Sequence, residues 1–257
     1  VDCGAHAGLY STLSAAILHN KGTVIAIEPH PTTATLLSRN LHSCNATCAI
    51  VVEAALSSSE GTASLYPGGP TKSAYSSMFP IETGVSGFQV RTTTVDSVCE
   101  EQRLERIDFL KVDAEGSELQ VLEGASRTIR KQQLPVVMVE FTEANLVRAG
   151  LDTKKLFEEI LSRGYVICRF DQKLCQLAAI QYEAPVGYEN YFATTDLLMV
   201  NRRLREAPAQ RQRIAHELLQ RGALCNEQAG RLGTMEGERN DLAAQLADLR
   251  GHFDESE

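Results

Sequence analysis

The sequence predicts an α/β protein with a Rossmann-like sheet, mostly parallel, carrying an antiparallel edge strand and followed by a helical tail. Three observations predict it. Strand-like apolar runs alternate with helix-like segments through about residue 200, and repeated βα units imply a parallel sheet with right-handed crossovers. The first unit is an acid, two glycines four apart and the start of a helix, Asp2-Cys3-Gly4-Ala5-His6-Ala7-Gly8-Leu9. The last two strand-like runs have no helix between them, which suits an antiparallel edge. The 257 residues suffice for one large domain and an appendage. The domain is placed at residues 1–201 and the tail at 202–257.

The elements follow in order. The first strand ends at Gly4, and the helix after it carries Leu9, Leu13, Ala16 and Ile17 at helical spacing. The second strand is Thr23 to Glu28. Pro29 and Pro31 break it, and a helix bears Leu36, Leu37 and Leu41. The third strand, Ala49 to Glu53, is an unbroken apolar run before its acid, as in a strand covered on both faces. A short strand runs from Thr62 to Tyr66. Residues 67–87 form a Gly-, Pro- and Ser-rich loop. Gln89 to Val95 alternates as a strand, and Asp96 can cap a short helix. Ile107 to Val112 is the fourth strand of the main sheet, ending in Asp113-Ala114-Glu115-Gly116. Ser117 with Gln120 resembles a capping box for a helix bearing Leu119, Leu122, Ser126 and Ile129. Pro135 to Phe141 is the fifth strand. Asp152 caps a helix through Leu161, which Gly164 terminates. Tyr165 to Phe170 and Asp196 to Asn201 form the closing pair, separated by an insertion over 171–195.

From Arg202 the chain turns rich in Arg, Gln, Glu and Ala. One heptad frame puts Leu218, Cys225, Leu232, Leu246 and Phe253 at a, and Ile214, Met235, Leu242 and Leu249 at d. Arg221, Gln228 and Arg239 break the seam, and each tail glycine costs a helix about 1 kcal/mol relative to Ala. Self-association through residues 235–250 is one reading, and a solvated, partly disordered tail is the other.

Composition excludes several classes. A net charge of −8 leaves no basic footprint for nucleic acid. Seven scattered cysteines without a repeated C-x-x-C form neither a zinc framework nor a fully paired disulfide set. Cys3, Cys48 and Cys168 sit in apolar strand-like runs, where a thiol behaves as a small hydrophobe. No run of apolar residues is long enough to span a membrane, so the default expectation is a soluble, cytoplasmic protein. The chain opens inside a strand without an initiator Met, so it reads as truncated, and an upstream signal or anchor stays open.

The ends of the first two strands carry the ligand chemistry. A glycine turn feeding a helix lets backbone approach a ligand and points N–H groups at it. Glu28, at the tip of the second strand, can accept both hydroxyls of a ribose. The dinucleotide fingerprint G-x-G-x-x-G is absent: Gly4 and Gly8 are separated by three residues, and no third glycine follows at the expected place. S-adenosylmethionine, which has an amino-acid end in place of a pyrophosphate, fits better, and Asp2 can receive its ammonium.

Three stretches resemble the FkbM family of class I methyltransferases: Val1 to Ser11, Ala26 to Pro31, and Ile107-Asp108-Phe109-Leu110-Lys111-Val112-Asp113-Ala114-Glu115-Gly116-Ser117-Glu118-Leu119 with Val121 to Ala125. The first two are generic for the class, and the third is distinctive. The resemblance covers residues 1–145 well, 146–200 by topology, and leaves the tail outside. It implies a class I methyltransferase sheet and a cofactor cleft at the C-terminal ends of the first four strands. Asp2, Gly4 and Gly8 would cradle the methionine end, and Glu28 would hold the ribose. Glu53 and Ala54 would flank the adenine. His6 stands where the family commonly has Asn and is carried over as a cofactor contact.

The resemblance further implies O-methylation of a hydroxyl on a sugar, glycolipid or other small molecule. N-methylation on the same scaffold, or a non-catalytic binding module with a coiled-coil tail, are the alternatives. An alcohol must lose its proton around the moment of attack, so a carboxylate is needed within reach. Asp113 is the first choice, Glu115 the second and Glu140, at the end of the fifth strand, the third. Lys111 is expected to point away from the site, His30 to be a loop residue, and Glu118 to complement the helix dipole. The acids offer oxygens but no complete ligand set, so no metal is assigned.

Overall fold

A computed structural model describes residues 1–68, 76–80, 85–183 and 187–206. The elements are, in chain order, β1 (Asp2–Cys3), α1 (Leu9–Ile17), β2 (Val24–Ile27), α2 (Pro31–Ser43), β3 (Ala49–Val52), β4 (Ala55–Leu56), β5 (Gly61–Pro67), β6 (Ser76–Ser77), β7 (Phe88–Thr93), α3 (Val95–Glu101), β8 (Leu110–Val112), α4 (Glu118–Gly124), α5 (Ser126–Arg130), β9 (Val136–Thr142), α6 (Glu143–Arg148), α7 (Thr153–Ser162), β10 (Val166–Asp171), β11 (Gln176–Ala179), β12 (Tyr188–Thr194) and α8 (Leu197–Glu206).

The main sheet has the order β11-β10-β12-β9-β8-β1-β2-β3. From β9 to β3 all pairings are parallel, and β12 and β11 run antiparallel to their neighbours. A mostly parallel, Rossmann-like sheet with an antiparallel edge is therefore present. The chain order reverses between β1 and β8, and ligands of open α/β sheets bind outside the strand ends at such a switch point. The principal core joins Ile25, Ile27, Leu110, Val112, Val139 and Phe141 of the strands to Val121, Leu122, Leu156 and Ile160 of the helices. Cys3 and Cys168 are buried in it or beside it, while Cys48 is half-buried.

Four expectations are corrected. The face of α1 that meets the sheet is Ser11, Thr12 and Ala15, whereas Leu9 and Ile17 are exposed. Small side chains let the helix lie close, and the Ser11 hydroxyl donates to Asp2 Oδ2 at 2.6 Å. The helix after Ser117 is two helices, broken at Ala125, and at the end of the first Gly124 passes so near the Ser57 carbonyl that a Cβ would lie 2.1 Å from its oxygen. Ser117 makes no side-chain cap bond, so the capping box is not formed. The closing strand is Tyr188–Thr194, not 196–201. Asp196 instead accepts the Met199 N–H at 2.8 Å and opens α8, and Asn201 pins α8 to both polar groups of Leu177.

Of the other caps, that of α7 is as expected and that of α3 is not. Asp152 accepts the Lys155 N–H, and Gly164 adopts a left-handed φ of 85°. Thr94, not Asp96, caps α3; the Asp96 carboxylate binds the Arg127 and Thr128 N–H groups instead. A second, four-stranded sheet of order β4-β7-β5-β6, which the alternation did not announce, covers one side of the switch point. No helix among the described residues is long and apolar enough to cross a membrane. The heptad over 235–250, and all of the tail beyond residue 206, lie outside the described residues, as does part of the loop over 67–87.

Candidate active site

A cavity of about 320 Å³ opens at the C-terminal ends of β1, β2, β8 and β9. Two loops build it. The first, Gly4 to Gly8, leaves β1 with Gly4 at φ 72° and His6 at φ 46°. It is tied down from below: the Gly4 and Ala5 N–H groups donate to the Ile27 carbonyl, and Asn40 Nδ2 donates to the Ala7 carbonyl. A Cβ on Gly4 would sit 2.0 Å from the Asp113 carbonyl oxygen, so only glycine lets the two loops touch.

Glu28 lies where this loop meets β2. Its carboxylate is 6% exposed and gripped from both sides, Oε2 by the His6 N–H at 3.0 Å and Oε1 by the His30 N–H at 2.9 Å. Burial pushes its pKa up to about 7 against the lowering effect of those two N–H groups. A buried carboxylate that is already oriented and still lines a cavity is a ready acceptor for paired hydroxyls. The imidazole of His30 packs edge-on against Phe88, and burial lowers the pKa of His6.

Ala54 lines the cavity and Glu53 does not. The Ala54 N–H bonds back to the Val52 carbonyl in a tight turn, which carries Ala54 inward and leaves Glu53 exposed. Ala54, Ala55, Leu56, Leu65 and Met78 give this end an apolar wall. Four of these, all but Ala54, come from the second sheet or the turn after β6, which the sequence pattern did not assign to the site.

The second loop follows β8. One carboxylate oxygen each of Asp113, Glu115 and Glu140 lie within 4.8 Å of one another. Glu115 has a left-handed φ of 49° and Gly116 one of 105°; such conformations persist only where the surroundings hold them. Here Glu118 does so: it is 2% exposed, and its Oε1 accepts the N–H groups of Ala114 and Gly116. Glu118 therefore holds the loop, a role the helix-dipole reading missed. Asn145 Nδ2 donates to Glu115 Oε2 at 2.6 Å, and the neighbouring Tyr188 phenol favours the ionised form of Glu140. Burial first, then the neighbouring carboxylates, raise Glu115 and Glu140 to about 7, and burial raises Glu118 to about 7.

Lys111 and Asp2 lie beneath both loops and are not among the lining residues. Lys111 does not point away from the loops: its Nζ is 2.9 Å from Asp113 Oδ2 and 3.6 Å from Asp2 Oδ1, and reaches the carbonyls of Cys3 and Gly4. Burial pulls its pKa down, and Asp2 with Asp113 outweighs that and holds it above the ordinary value. Asp2 is thus engaged by Lys111 and Ser11 and props the loop from below. Gly8 is also structural: it opens α1 at φ 95°, and a Cβ there would meet Leu37 Cδ1 at 2.7 Å. The structure thus brings together Gly4, His6, Glu28, Ala54, Asp113, Glu115 and Glu140, and leaves Asp2, Gly8 and Glu53 outside the cavity wall. Ser117 and Tyr188 join the wall without having been foreseen.

Comparison with known proteins gives a consistent set. The family model described as the methyltransferase FkbM domain matches residues 2–167. A hexuronic acid methyltransferase, AglP of Haloferax volcanii, is 31% identical over 153 residues, 60% of this chain and 57% of that protein. The methyltransferase sdnD of Sordaria araneosa is 33% identical over 201 residues, 66% of this chain and 74% of that protein. The chain therefore spans little more than half the length of the first relative. Among solved structures, methyltransferase FkbM from Methylobacillus flagellatus KT is 20% identical with a TM-score of 0.47, covering 76% of this chain and 42% of that one.

Proposed function

The chain belongs to the FkbM methyltransferase family, and from that premise we propose that it is an S-adenosylmethionine-dependent O-methyltransferase acting on a hydroxyl of a sugar, glycolipid or similar small molecule. The observation that carries the reading is a single cavity with an oriented ribose acceptor, Glu28, at one end and three converging acids at the other. The named activity of the Haloferax relative supports a sugar acceptor.

The residues fit the donor. Glu28 would take the two ribose hydroxyls, and Ala54 with Leu56 would lie against the adenine. Gly4 and His6 would border the methionine end, with Asp2 acting through the loop it props. When bound, the donor supplies a methyl group already activated on a sulfonium. The chain's own task is then to orient an acceptor oxygen, exclude water and take a proton. Asp113 is the acceptor-hydroxyl ligand: Lys111 fixes its Oδ2, and the side chain still borders the cavity. Glu115 and Glu140 complete the surface on which further hydroxyls would rest.

Calorimetric titration with S-adenosylhomocysteine tests the reading. Micromolar binding by the wild type is expected, weakened at least about tenfold in Glu28→Ala, since a hydrogen bond to a charged group contributes about 1.5–3 kcal/mol. Equal affinity in the two proteins would remove the ribose assignment, and no binding by folded wild type would remove the methyltransferase reading.

A further inference from the structure

The geometry points to a divalent-cation site formed by Asp113, Glu115 and Glu140, with the Ser117 hydroxyl as a further ligand oxygen. The three carboxylates come from two elements, the loop after β8 and the strand β9, and converge with one oxygen each inside a 4.8 Å span. Oxygens on opposite sides of a single hard cation at 2.3–2.6 Å lie roughly 5 Å apart. The trio therefore needs only small adjustments to share one ion. All-oxygen ligation without His or Cys suits Mg²⁺, Mn²⁺ or Ca²⁺ and disfavours zinc.

A cluster of acids alone would not point to an ion, and the second observation is Ser117. It lines the same cavity as the trio, follows Glu115 by two residues and is 1% exposed, and its Oγ has no hydrogen-bond partner among the described residues. A buried hydroxyl left unpaired is costly, and a ligand that accepts its lone pairs removes the cost.

The charge balance agrees. Among the described residues, the ammonium that touches the trio is Lys111, and it is divided between Asp113 and the buried Asp2. Arg148 stands one residue back, donating to Asn145, which in turn holds Glu115. Asn145 and Tyr188 each stand beside a carboxylate without adding positive charge. A bound cation would sit beside the acceptor oxygen that Asp113 is proposed to hold. That consequence for acceptor activation rests on the methyltransferase reading; the binding itself does not.

The test uses the full chain and Mn²⁺ alone, with neither donor nor acceptor. Electron paramagnetic resonance should report one saturable Mn²⁺ per chain. Affinity should fall at least tenfold in Glu115→Gln and in Glu140→Gln and stay unchanged in Glu60→Gln, an exposed acid far along the chain. Mn²⁺ should raise the melting temperature of the wild type and leave that of Glu140→Gln unmoved. A measurement needing no variant is the broadening of nuclear resonances, expected at Asn145 and Tyr188 and absent at Gly164. Absence of saturable binding, unchanged affinity in both folded Gln variants, or broadening centred elsewhere would each overturn the site. If Mn²⁺ fails to bind while S-adenosylhomocysteine still binds, the ion alone is struck out and the proposed function stands.

Discussion

Glu28 and Glu140 line the same cavity at 6% and 7% exposure, and each is held near a pKa of about 7 chiefly by burial, yet their surroundings differ. Glu28 stands apart from the trio and receives a backbone N–H on each oxygen. Glu140 faces Asp113 and Glu115, whose charges add to the effect of burial. One end of the cavity is a completed acceptor waiting for hydroxyls, and the other is a concentration of charge that asks for a cation or protons. Fixed N–H dipoles orient Glu28 without cancelling its charge. The acid loop is held by side chains and one shared lysine, so its behaviour should depend far more on what binds there.

The sharpest way to break that contrast is Lys111→Met. It removes the ammonium shared by Asp2 and Asp113 and leaves Asp2 buried with only Ser11 as a partner. Stripping one member of a buried ion pair costs about 3–5 kcal/mol, so urea unfolding should show a loss of that size. An unchanged midpoint would mean that the lysine is not what supports the two loops. Asp113→Asn acts on one end only. Cofactor binding should stay within about threefold of wild type, while turnover on a methyl-accepting sugar falls at least about a hundredfold, the lower range for a lost proton acceptor. Undiminished turnover would place the acceptor anchor at Glu115 or Glu140.

What the sequence disclosed follows from how local each feature is. Glu28 and Asp113 were legible because each ends an apolar run, and in a parallel sheet those ends converge on one edge. The ion pair of Asp2 is not legible, because its partner, Lys111, is 109 positions away and reveals itself only when β1 and β8 pair side by side. The packing requirement at Gly8 is not legible either, because it comes from Leu37 on the next helix. Glu53 and Ala54 are adjacent in sequence, and a single turn separates them into exposed and lining residues. Glu118 fitted the dipole rule so well that its two bonds to the loop behind it went unseen. The Leu197–Val200 run has strand-like apolar character, and the Asp196 cap, itself visible in the sequence, decides for helix.

The smallest effect, and the finest discriminator between the two ends, is the pH response of Glu28→Gln. Burial raises the Glu28 pKa from 4.5 to about 7. Below 4.5 the carboxyl is protonated in both folded and unfolded chains. Between 4.5 and 7 only the folded chain holds the proton, so its contribution to stability declines as pH rises and is lost once pH passes about 7. Glutamine does not titrate, so the wild type should lose stability relative to Glu28→Gln as pH rises from about 4.5 to about 7. Ligand affinity should run the opposite way. The ionised carboxylate accepts both ribose hydroxyls, so binding of S-adenosylhomocysteine to the wild type should tighten about tenfold as pH climbs through 7. The same pH change should leave the affinity of Glu28→Gln nearly flat. Thermal melts and calorimetry on both proteins over that range would show the two slopes crossing. If the variant keeps the wild-type slope in affinity, the titrating group lies among the acids at the far end, and Glu28 is not the ribose acceptor.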